Sequence, residues 1–182
     1  MSPDEFAEAW GDDPDQLATF PLSLLNQYPL RFADKHFLTA AGLPSSAPPY
    51  LSFGPEYAGF NIAPAKQAED NFQIGQNGSG DPVAVTPDGE IRDLNHDAGF
   101  APRYINRDLP TLAQALLLYR RLIEDTIQAA GPDAFLDGVV PMHLREAWMA
   151  SLGAFDPRAL EAGSFWAEEV TTWVSDGEGE SR

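Results

Sequence analysis

Apolar residues recur at intervals of three and four between Pro110 and Ala130, where Leu112, Ala115, Leu116, Tyr119, Leu122, Ile123 and Ile127 share one face. That period predicts an amphipathic helix that starts near Asp108 and Pro110, stops at Gly131 and lays Leu116, Tyr119 and Ile123 into the core. Two more helical stretches follow, roughly Met142 to Leu152 and Pro157 to Val174. Their Leu144, Trp148, Leu152, Leu160, Phe165, Trp166, Val170 and Trp173 are expected to seat them on the same core. Nearer the start, Phe37, Leu38, Ala41 and Leu43 follow helical spacing within 32–43, with Asp34 early and Gly42 as a stop before Pro44. A short helix is expected at about 3–10, capped by Ser2, with acids in its first turn.

Between Ser45 and Asn95 the period changes to short extended runs broken by Pro and Gly. Tyr50–Gly54, the stretch around Phe60 and Ile62, Phe72–Gly75, Pro82–Thr86 and Glu90–Leu94 read as strands. Pro87-Asp88-Gly89 between the last two is the chemistry of a tight hairpin, because Pro presets φ, Asp bonds the backbone and Gly takes the left-handed position. The expected architecture is a single α+β domain over residues 1–175. Its central antiparallel sheet of about five to six strands is covered by N-terminal and C-terminal helices. Residues 176–182 have no apolar content and are expected to form a disordered tail.

Composition narrows the function classes. With no cysteine, thiol nucleophiles, cysteine-based zinc sites, iron–sulfur clusters and redox pairs are excluded. A formal net charge of −17 repels nucleic acid and anionic membrane and attracts basic surfaces. Such acidity either only keeps a chain soluble or marks a surface made for a basic protein, so the partner expected from charge, if there is one, is a protein with a basic surface, and neither nucleic acid nor membrane. The start lacks the basic segment and apolar run of a secretory signal, and no stretch approaches about 18 consecutive apolar residues, so a cytoplasmic location is expected. Only Lys35 and Lys66 are lysines against nine arginines, a bias compatible with a high-GC bacterial genome.

Four patterns resemble chemistry and each falls short. The loop Gly75-Gln-Asn-Gly-Ser-Gly-Asp81 could wrap N–H groups around phosphate, but it leads into a strand where a phosphate loop opens a helix, and Asp81 would repel the ligand. It reads instead as a turn in which Gly80 holds a conformation that a Cβ penalises. Asp93, Asn95 and Asp97 alternate like the start of a calcium loop, but the glycine comes one place late and Tyr104 stands where a bidentate Glu belongs. His36, His96 and His143 form no metal-binding pair, and no serine lies in a Gly-x-Ser-x-Gly elbow. No catalytic residue, metal ligand or cofactor is expected.

The order of an aromatic strand Phe72–Gly75, the turn Gly78-Ser-Gly80-Asp81, the strand Pro82–Thr86, the Pro87-Asp88-Gly89 hairpin, a strand with the polar end Asn95-His96-Asp97 and a Leu-rich helix resembles the SUKH superfamily. That group comprises bacterial toxin-immunity proteins and fungal regulators of cell-wall synthesis. Phe37-Leu38 with Gly42-Leu43-Pro44, Asp156–Leu160 and Ser164-Phe165-Trp166 are similar to the opening and closing helices of actinobacterial members. The likeness covers about residues 33–173, leaving 1–30 as an unmatched extension. It implies a non-catalytic immunity protein that binds and neutralises a cognate toxin of the nuclease or deaminase class. The alternative is a regulatory scaffold unconnected with toxins. Asp81, Asp93, Asn95, Asp97 and Tyr104, near the polar ends of the hairpin, are the expected contact residues, although Gly80 and Asp81 also read as turn-shaping.

Overall fold

The computed structural model describes residues 1–11, 16–58 and 71–174. The chain opens on α1 (Pro3–Trp10), where Ser2 Oγ accepts the Glu5 N–H and the Glu5 carboxylate accepts the Ser2 N–H, a reciprocal cap. Phe6 and Trp10, one turn apart, are buried, and Phe6 lies 5.8 Å from the Phe37 ring. The unmatched N-terminal segment is thus part of the core. After β1 (Leu17–Ala18) and the single-turn α2 (Leu22–Leu25) comes α3 (Phe32–Ala40). Beyond it β2 (Leu43–Pro44) pairs antiparallel with β1.

The main sheet consists of β3 (Ser52–Phe53), β4 (Phe72–Gln76), β5 (Pro82–Val85), β6 (Ile91–Asn95) and β7 (Ala101–Asn106), antiparallel and in sequence order. It is a meander of consecutive hairpins. Gly75 permits β3 and β4 to pair closely, since a Cβ there would stand 2.1 Å from the Ser52 carbonyl oxygen. The Pro87-Asp88-Gly89 hairpin forms as expected. Gly89 takes φ 91, and the Arg31 guanidinium fills the space beside its Cα. Arg31 is fixed in turn by a bidentate bond to buried Asp34, at 2.8 and 2.7 Å.

Two strand expectations come out differently. β7 was not expected, because Pro102 and Arg103 interrupt its apolar pattern; as the edge strand of the sheet it tolerates the proline. The run at Tyr50–Gly54 shrinks to Ser52–Phe53, because Tyr50 adopts φ 55, outside the extended region. The strand expected around Phe60 and Ile62, and the tail expected at 176–182, lie outside the described residues.

The long α4 (Leu109–Ala130) starts at an Asp108–Thr111 capping box and buries Leu112, Ala115, Leu116 and Tyr119 completely, whereas Ile123 is only partly buried at the border of the core. Then come α5 (Met142–Phe155), a 3-10 turn at Pro157–Leu160 and α6 (Phe165–Thr171). The last two replace the one helix expected from Pro157 to Val174. Gly163 at φ 84 breaks the run, and Ser164 restarts it by accepting the Ala167 N–H. Around Tyr119 the rings of Phe135, Trp148, Trp166 and Trp173 stand within 5.5 to 6.0 Å. This aromatic cluster joins the C-terminal helices to α4. Helices and strands share one large core, while Ala84, Leu94 and Phe100 form a small separate cluster. No helix among the described residues is long and apolar enough to cross a membrane.

Candidate partner-binding surface

The turns joining β4 to β5 and β6 to β7 lie at the same end of the meander, opposite the Pro87-Asp88-Gly89 hairpin. Asn77 organises the first of them. Its Oδ1 accepts the N–H groups of Ser79 and Asp81 at 2.9 and 3.0 Å, and its carbonyl accepts the Gly80 N–H at 3.0 Å. The backbone donors that a phosphate would need are therefore consumed inside the turn. Gly80 has φ 82, as a strand-joining turn requires.

The Asn77 amide also bridges two buried carboxylates, donating to Asp81 Oδ2 at 3.0 Å and to Asp93 Oδ2 at 3.1 Å. Asp81 accepts the His96 N–H at 2.9 Å, and the same oxygen lies 2.6 Å from His96 Nδ1. Burial pushes the Asp81 carboxyl up, but the bonds from His96 and Asn77 outweigh it and hold the group below the usual carboxylate range. Asp93, only 1% exposed, is gripped by the Arg103 guanidinium on the neighbouring strand, with Nε 3.0 and 3.2 Å from its two oxygens. The second arm of Arg103 bonds Glu168 on α6, and the guanidinium stacks 5.2 Å from the Phe165 ring centre. The Asp93 bond raises the Arg103 pKa against the effect of burial, so the cation is secure.

The five expected contact residues therefore divide. Asp81 and Asp93 are brought together, but they are buried and bonded within the chain. Tyr104 is also buried and belongs to a different network, in which its hydroxyl donates to Asp156 at 2.8 Å. That Asp156 carboxylate further accepts from Asn106 Nδ2 and the Arg107 N–H, each at 3.0 Å, so it pins β7 to the C-terminal helices. Asn95 and Asp97 do face solvent. Asn95 Oδ1 caps the 3-10 turn at His96–Ala98 by accepting the Ala98 N–H, and the Asp97 side chain, 89% exposed, lies 3.4 Å from His96 Nε2. Among the described residues no group of three His, Asp or Glu side chains is placed to hold a metal ion, and the calcium-like spacing ends in the Asp93–Arg103 pair.

Beside this network lies an open cleft of about 500 Å³, between Tyr50, the turn at 77–79 and α6. Tyr50 forms one wall and is 81% exposed. Opposite stand Glu168 and Glu169; Glu169 Oε1 accepts the Tyr119 hydroxyl, and burial together with that carboxylate drives the Tyr119 pKa far up. Sequence reading missed this surface. Pro48-Pro49-Tyr50 sits at the start of a run that reads as a strand, and the glutamates lie on a helix chosen for its buried aromatics.

The profile of the SUKH-4 immunity protein family matches residues 1–172, nearly the whole chain and including the first thirty residues. No curated protein and no solved structure matches it. With the meander, its flanking helices and its Gly-Asp turn in place, the match establishes that the chain belongs to the SUKH-4 immunity protein family, whose members neutralise toxins without catalysis.

Proposed function

We propose that this protein acts in the cytoplasm by binding a toxin domain of the nuclease or deaminase class that carries a basic face, and that it blocks the toxin by occlusion. The observation that carries the reading is a net charge of −17 on a member of an immunity family. Toxins that act on nucleic acid need cationic surfaces to hold phosphate. A strongly acidic protein competes for those surfaces and is drawn to them by long-range attraction. The exposed carboxylate of Asp97 and the neighbouring Asn95, at the end of β6, belong to the acidic rim that meets the toxin. The low lysine count and the helix-end sequences favour an actinobacterial type of member.

The test is co-expression with the toxin encoded nearest to this gene, followed by binding kinetics at several salt concentrations. Survival is expected to depend on complex formation. Association is expected to slow far more than dissociation speeds as salt rises from about 0.05 to 0.5 M, because screening acts on the approach. Absence of a complex at every salt concentration with each neighbouring toxin would defeat the reading.

A further inference from the structure

Resting on the immunity reading, the geometry points to a specific seat for the toxin: the cleft between Tyr50, the turn at 77–79 and α6 receives a protruding loop that carries an arginine or lysine. Tyr50 is the aromatic anchor, and Glu168 and Glu169 are the carboxylates that meet the cation.

Charge decides the kind of occupant. Among the described residues Arg103 is the one cation that lines the cleft, and it is already bonded to both Asp93 and Glu168. Glu169 adds a further carboxylate, so the cleft is net negative. The Tyr119 hydroxyl occupies only Oε1 of Glu169; Oε2 has no partner among the described residues. Glu168 keeps about half of its side chain in water and can take a second donor. A guanidinium has five N–H donors in a fork suited to such carboxylates, and it stacks on aromatic faces.

Shape points the same way. Few large apolar residues are as exposed as Tyr50, and it borders a concavity of about 500 Å³, room for a long side chain and its neighbours. Gly78 lies directly beneath it, where a Cβ would come within 2.8 Å of Tyr50 Cβ, so the bare glycine backbone lets the tyrosine root sit low against the turn. A tyrosine offers large contact area at small entropic cost and is enriched among residues that dominate binding.

The probe is a catalytically inactive form of the toxin domain encoded beside the gene, titrated against the wild-type chain and three single variants. Tyr50→Ala is expected to raise Kd about 30-fold, equivalent to about 2 kcal/mol, with an unchanged melting temperature. Glu168→Gln is expected to weaken the salt dependence of association. Phe32→Ala, at an equally exposed aromatic next to the Arg31–Gly89 contact and so at the other end of the sheet, is expected to bind like wild type. Wild-type binding with Tyr50→Ala within threefold of it would overturn the cleft and leave the immunity reading standing. Failure of the wild-type chain to bind would overturn both.

Discussion

Replacing Asp93 with asparagine removes one charge and almost no volume, and it separates two roles that a buried carboxylate near a binding surface can have. The native carboxylate accepts from Arg103 Nε and from Asn77 Nδ2, and it forms the inner half of an ion pair with the Arg103 guanidinium. Asparagine would turn an N–H₂ group toward at least one of these donors. Removing one member of a buried pair costs about 3 to 5 kcal/mol. The cost here is expected at the low end or below, about 2 to 3 kcal/mol, because Arg103 keeps 28% of its side chain in solvent and retains Glu168. For a chain of this length that is a fall in melting temperature of roughly 5 to 10 °C, or a urea midpoint lower by about 1 M. Thermal and urea melts followed by far-UV circular dichroism read it directly. A double-mutant cycle with Arg103→Met is expected to show strong coupling between the two positions. If Asp93→Asn melted within about half a kcal/mol of wild type and yet lost toxin binding, the carboxylate would be a contact group and the structural account of the network would fail.

Gly80→Val is expected to cost about 1 to 2 kcal/mol by denaturant midpoint. The cost is backbone strain alone, since φ is 82 and no atom lies within 4 Å of the added Cβ; Gly80→Asn should lose distinctly less, because asparagine tolerates the left-handed region. Leu116→Ala empties a fully buried site on α4 and is expected to cost about 2 to 5 kcal/mol in the same assay, whereas Ile123→Ala at the core border should cost less. Asp81 titrates below its ordinary value of 3.8 in the folded chain, so its contribution to stability is complete above that pH and lost as pH falls through the folded value. Acid unfolding of Asp81→Asn, followed between about pH 5 and 2, is therefore expected to be less steep than that of wild type.

Local rules made the sheet legible where strand and turn agreed. Pro87-Asp88-Gly89 and Gly80 each occupy the turn their chemistry predicts, and α4 carries a cap, an apolar face and a terminal glycine that all point the same way. The periodic pattern fails at β7, where Pro102 and Arg103 break it, and at α6, where the break depends on Gly163 and Ser164 inside an otherwise apolar run. The site was legible only in part. Asp81 and Asp93 stand out as polar residues at strand ends, but sequence spacing says nothing of Asn77 bridging them or of Arg103 claiming Asp93 from the next strand. Their burial is a product of long-range packing. Tyr50 was hidden for the opposite reason, since an aromatic residue at the head of an extended run reads as core, and its exposure follows from a backbone angle that no periodicity encodes.

The sequence-order arrangement of β3 to β7 has a consequence for the timing of protection. From β4 to β7 each strand pairs with the one made just before it, so the loops to be closed there are short, and chains with local pairings fold faster than those that must join distant segments. Local pairing of this kind lowers the entropy lost in ordering the strands, while the sheet gains its stability when the helices cover it. The final step is different in kind. Tyr119 needs Trp166 and Trp173, and Arg103 needs Glu168, all from the last stretch of the described chain. The acidic face of the cleft is therefore completed only when α6 docks. If the cleft is the seat proposed above, a chain that lacks this helix would offer only half of it, and expression of such a truncated chain is expected to give no protection against the toxin.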